Sequence, residues 1–86
     1  MEEIQYIKLL IDRNNLEAIK DHLEHLLQTY EISDWTVLYK DCYLHACLKK
    51  RKEIAEWFVE MFNHIDPIQQ IALRQVFSYG KYLLNK

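Results

Sequence analysis

Glycine and proline are almost missing from this chain, with one of each in 86 residues. So little of either excludes a turn-rich all-β protein and a Pro/Gly-rich disordered linker. No apolar run approaches the roughly 18 residues needed to span a bilayer, so no membrane partner is expected. A formal charge of only −2 gives no global attraction to nucleic acid or to anionic lipid. Met1-Glu2-Glu3 opens acidic where a secretory leader would be basic, so no signal peptide is expected and a soluble cytoplasmic protein is the default. Cysteine is scarce too. Cys42 and Cys47 stand five residues apart, roughly 140° around a helix, which disfavours a disulfide between them. They read as two small buried hydrophobes in a reducing compartment.

Core material, by contrast, is ample. Half the residues are hydrophobic and 13% are aromatic, enough for one domain over residues 1–86 near the lower limit at which a core offsets chain entropy. Apolar residues at helical spacing predict five helices. The first spans Glu2 to Asp12, with Ile4, Ile7, Leu10 and Ile11 on one face. Arg13-Asn14-Asn15 makes an elbow, since Asn tolerates the left-handed conformation that ends a helix and also caps the next one. The second helix, Leu16 to Tyr30, carries Ile19, Leu23, Leu26, Leu27 and Tyr30 on its stripe. After a cap at Ser33-Asp34, the third runs from Trp35 to Lys49. Leu38, Cys42, His45 and Ala46 line one side of it and Val37, Leu44 and Leu48 another, with Tyr39 and Tyr43 between, so it should be covered on more than one side and sit centrally. The fourth, Lys52 to His64, shows Ile54, Trp57, Phe58, Met61, Phe62 and Ile65. Asp66-Pro67 then opens a fifth helix to about Leu84, with Ile68, Ala72, Val76, Tyr79 and Leu83 as its face and Gly80 as a point where it frays or stops.

A shift of 35 residues lays helices one and two on helices three and four. It matches Ile4 with Tyr39, Ile7 with Cys42, Leu10 with His45, Ile11 with Ala46, Ile19 with Ile54, Leu23 with Phe58, Leu26 with Met61, Leu27 with Phe62 and Tyr30 with Ile65. The elbow aligns better at 36, Glu17 on Glu53. A period in this range belongs to arrays of helical hairpins, with the fifth helix as a closing cap. An unrelated helical bundle is the competing architecture. Either way the expected fold is all-α.

The run Ala46-Cys47-Leu48-Lys49-Lys50-Arg51-Lys52-Glu53-Ile54-Ala55-Glu56-Trp57-Phe58 resembles the inner-helix end, turn and outer-helix start of an ankyrin repeat. Ile11-Asp12-Arg13-Asn14-Asn15-Leu16-Glu17-Ala18-Ile19 is similar, with Asn14-Asn15 where the family has Gly-His. Lys50 stands at the family's turn glycine, and the link Glu31 to Asp34 is shorter than its β-hairpin finger. The Asn- and Lys-rich, Gly-poor character resembles the divergent ankyrin-like proteins of large DNA viruses. The resemblance covers about residues 4–62 and implies a protein-binding repeat without catalytic residues.

Chemistry has few places to reside. His22, His25, Cys42 and His45 form two i, i+3 pairs that facing helices could join into a tetrahedral metal site, but no Cys-x-x-Cys or tight ligand turn supports it, and no metal or cofactor is expected. Cys47 beside Lys49, Lys50, Arg51 and Lys52 is the one conceivable nucleophile, yet no glycine turn or oxyanion loop accompanies it. No enzyme is expected. The basic run itself complements a helix C-terminus, or meets an acidic protein, or meets phosphate. The partner-binding surface expected from these residues comprises the elbows Arg13, Asn14, Asn15 and Lys49, Lys50, Arg51, Lys52, with Trp35 and Tyr6 as exposed-capable aromatics. The partner is expected to be a protein, a second copy of the chain included. The alternative is a small nucleic-acid-associated regulator using Lys49 to Lys52.

Overall fold

The computed structural model describes residues 2–29, 35–62 and 67–86. Five helices follow one another: α1 (Glu2–Asp12), α2 (Leu16–Thr29), α3 (Trp35–Leu48), α4 (Lys52–Phe62) and α5 (Pro67–Asn85), with no strand among the described residues. The fold is all-α. The expected caps at Ser33-Asp34 and Asp66, together with Tyr30, His64 and Ile65, lie outside the described residues, as do the side chains of Leu27, Trp35 and Phe62.

Both elbows are built the same way. Asn14 and Lys50 are left-handed, with φ of 56° and 59°. The N–H at that position donates three residues back, Asn14 to Ile11 at 2.9 Å and Lys50 to Cys47 at 3.1 Å. The following N–H donates five residues back, Asn15 to Leu10 at 3.0 Å and Arg51 to Ala46 at 2.9 Å. These paired bonds are the Schellman ending of a helix, and they satisfy carbonyls that the last turn leaves open. Asn15 then caps α2, its Oδ1 accepting the Ala18 N–H at 3.2 Å. The elbows therefore repeat at 36 residues, the offset that Glu17 and Glu53 share.

Helix α3 is the centre of the molecule, packed against α1, α4 and α5. Leu38, Tyr39, Cys42, Tyr43, Ala46 and Cys47 are all buried along it. Of the second side expected to be covered, Leu44 packs partly buried against the core, while Val37 and Leu48 are exposed. With α1 on one flank and α5 on the other, the arc holding Val37, Lys40 and Leu48 faces water, and the second covered side is made by Tyr39, Tyr43 and Cys47.

The carboxyl ends of α1, α3 and α5 gather together. Asp12 at the end of α1 meets His45 and Arg51, and Lys50 reaches Leu83 near the end of α5. The three odd-numbered helices thus form a parallel row.

For α5 one expectation fails and another holds only in part. Gly80 neither frays nor ends the helix, which continues to Asn85. It is buried under the Tyr43 ring, and a Cβ there would fall closer than 3.0 Å to Tyr43 Cε2, Cζ and Oη. The glycine is a seat for an aromatic ring. The helix face is turned as well: Leu83 is buried and Val76 packs against the core as expected, but Leu73 and Gly80 are buried and Phe77 packs beside them, while Ile68, Ala72 and Tyr79 face solvent. Phe77 stacks on Tyr43 at 6.3 Å between centroids, and the Tyr43 hydroxyl donates to the Phe77 carbonyl at 3.4 Å. These ring contacts, absent from the row of Ile68, Ala72 and Tyr79, decide which side turns inward.

Candidate functional site

Three parallel helices ending side by side collect the negative ends of three helix dipoles on one edge, and cations belong there. The basic elbow supplies them. Arg51 donates from Nη2 to the Asp12 carbonyl at 2.8 Å, across to the end of α1. Lys50 donates from Nζ to the Leu83 carbonyl, with the Lys86 carbonyl at 3.5 Å, across to the end of α5. His45 Nε2 donates to Asp12 Oδ1 at 2.7 Å. That hydrogen bond, with the charges of His45, Lys49 and Arg51 behind it, holds the Asp12 carboxyl below its ordinary range. The two elbows lie next to each other as a stacked hairpin pair requires. Lys50 and Arg51 serve as ties within the fold, whereas Arg13, Asn14, Asn15, Lys49 and Lys52 are exposed along the same edge.

Tyr6 is 46% exposed and rests its ring edge-on against His22 at 4.7 Å. Burial holds the His22 imidazole below its ordinary pKa, with the neighbouring His25 adding to this. Trp35 opens α3, and its side chain lies outside the described residues. His22, Cys42 and His45 are not brought together: His22 meets Tyr6, Cys42 is buried in the core and His45 turns to Asp12. Among the described residues no three His, Cys, Asp or Glu side chains converge. Burial pushes the Cys42 thiol up to about 12 and raises that of Cys47 as well, so both favour the unreactive thiol form.

A half-open cavity of about 580 Å³ lies between α4 and α5, floored by Tyr43, Ala55, Val59 and Leu84. Its walls mix Lys52 and Lys81 with Glu56 and Glu60, a trough between helices without one sign of charge.

Among the described residues, four of the most exposed large hydrophobic side chains lie elsewhere, on the outer side of α5. Ile68, Ile71, Tyr79 and Tyr82 are 78%, 68%, 54% and 60% exposed. Their spacing sets all four, with Ala72 and Gln75, on one narrow face of the helix. Tyr79 and Tyr82 stack on each other at 6.3 Å. Periodicity hides this patch, because it places Ile68, Ala72 and Tyr79 on a core face. The signal that separates the two was present: α5 has apolar residues around most of its circumference, more than one neighbour covers.

Compared with known proteins, the chain matches no family model, no curated protein and no solved structure. No helix among the described residues is long and apolar enough to cross a membrane.

Proposed function

We propose that this chain is a non-enzymatic protein-binding module, a short stack of helical hairpins that presents the outer face of α5 to another protein surface. The observation that carries this reading is the run of four side chains, Ile68, Ile71, Tyr79 and Tyr82, each more than half exposed on one helix face. Aliphatic and tyrosine side chains in one patch are the composition of an interface centre, where a ring supplies area and its hydroxyl finds a partner. Arg74 and Lys81 lie together beyond one edge of the patch. The elbow edge, with Arg13, Asn14, Asn15, Lys49 and Lys52 exposed, is a second contact surface in the same reading. The duplicated left-handed elbow and the parallel row of odd-numbered helices support kinship with ankyrin-type stacks, which bind proteins.

The test is affinity capture from cell extract with the intact chain and with an Ile71→Glu/Tyr79→Glu double variant of unchanged helical circular dichroism. Discrete proteins should be retained by the native chain and lost at least tenfold with the variant. Identical recovery by both would remove α5 as the binding surface.

A further inference from the structure

The patch on α5 has an internal symmetry that names its occupant. From Ile68 the large side chains of this face step by three to Ile71, by four to Gln75, by four to Tyr79 and by three to Tyr82, with only the small Ala72 between them. The spacing reads the same from either end, with Gln75 at the middle. One half is aliphatic and the other aromatic. We propose that a second copy of this chain covers the patch, its α5 lying antiparallel across a two-fold axis at Gln75. This inference rests on the reading of α5 as a protein-binding face and identifies what it binds.

In that arrangement Ile68 of one copy meets Tyr82 of the other, and Ile71 meets Tyr79, each pair occurring twice. Each of these contacts away from the axis joins an aliphatic side chain to a ring, so the two halves of the stripe complement one another only when the helices run in opposite directions. A parallel pair would instead set tyrosine on tyrosine and isoleucine on isoleucine. Gln75 would meet its own symmetry mate. A primary amide carries both donors and an acceptor, so two of them can satisfy each other across the axis. A single polar position within an apolar seam is also a known device for fixing register and orientation.

Area and the uncharged seam agree with this occupant. A whole tyrosine presents on the order of 200 Å², so Tyr79 and Tyr82 hold roughly 200 Å² open between them in each copy. With Ile68 and Ile71 counted, complete burial in a symmetric pair would cover on the order of 1,000 Å², the threshold for a biological interface. Ile68, Ile71, Ala72, Gln75, Tyr79 and Tyr82 are all uncharged, so the seam gives an acidic partner nothing to read. Arg74 and Lys81 lie about a third of a turn away from the seam, where salt screens their repulsion. The other end of the row makes a poorer mate. There α1 exposes only Tyr6 and Leu9, at 46% and 44%, against the four large side chains of α5. Pairing α5 with that end would also build an open chain of copies instead of a closed pair.

Two measurements on the full chain decide the matter. Sedimentation equilibrium at micromolar concentration should give the mass of two chains, and Ile71→Glu should halve it without loss of helical circular dichroism. Ile68→Cys and Tyr82→Cys chains, treated with a short bis-maleimide, should cross-link at least tenfold better when mixed than either does alone. A native chain that sediments as one copy overturns the proposal. Stripe-dependent capture of other proteins would still leave the binding reading intact in that case, and its loss as well would end both. Efficient cross-linking of Ile68→Cys to itself would mean parallel helices, and masses growing beyond two copies would mean head-to-tail stacking; either overturns the two-fold pair.

Discussion

Lys50 is the residue at which backbone and side chain make opposite demands. Its φ of 59° is a conformation that a side chain disfavours by about 1–2 kcal/mol, and glycine would fit it better. The ammonium is what glycine cannot supply, since Nζ ties the elbow to the last carbonyls of α5. Replacing Lys50 with Ala removes the tie and keeps the strain, whereas Gly removes both. Urea titrations should therefore find Lys50→Gly more stable than Lys50→Ala by about 1 kcal/mol. Equal stabilities would show that the left-handed turn is not held in solution. At Gly80 the usual rule for helical glycine reverses. In an open helix Gly→Ala gains about 1 kcal/mol. Here the added methyl meets the ring end of Tyr43, itself fully buried between Tyr39 and Phe77. Gly80→Ala should cost about 1–3 kcal/mol in the same titration, the range of overpacked cores.

Among the elements, α1, α2 and α4 were legible because each carries one dominant apolar stripe, and α3 because it is apolar on more than one side. Asn14-Asn15 announced an elbow by residue type alone. Lys50 did so only by analogy with it, because nothing in a lysine suggests a left-handed turn. Helix α5 was legible as a helix but not as an oriented one. Its rows through Ile68, Ala72 and Tyr79 and through Leu73, Phe77 and Gly80 satisfy helical spacing equally. The buried row contains a glycine, which adds nothing to a hydrophobic pattern. Only the Tyr43 ring settling on that glycine resolves the choice, and such a contact between distant segments leaves no local trace. The tie between α1 and α3 was similarly hidden in single polar residues, and it has a pH signature. Asp12 is held below its ordinary pKa by His45, so its contribution is present above the unfolded value near 4 and is lost as pH falls through the lower folded value. Asp12→Asn should flatten the fall of stability with acid below about pH 4, as read from unfolding midpoints across that range. An unchanged acid limb would mean that the His45 bond does not bias the fold.

At the scale of the whole molecule, charge is divided along the chain. Residues 67–86 carry Arg74, Lys81 and Lys86 and no acidic side chain, a charge of +3, while 13 acidic against 8 basic residues leave residues 1–66 at −5. Self-association through α5 joins two like-charged helices, so added salt should tighten it, whereas capture of an acidic partner at the same rim should weaken with salt. The pair is expected to hold or strengthen when sedimentation is repeated at higher ionic strength.

The central place of α3 has a consequence for how the molecule comes apart. In a long array each hairpin leans on two neighbours, and one can open while the remainder stands. Here α1, α4 and α5 all lean on the same helix, and α2 leans on α1. Withdraw α3 and no two surviving helices retain a shared interior large enough to persist. The stack is written as repeats but behaves as an arch, with α3 as the stone that every other piece rests against.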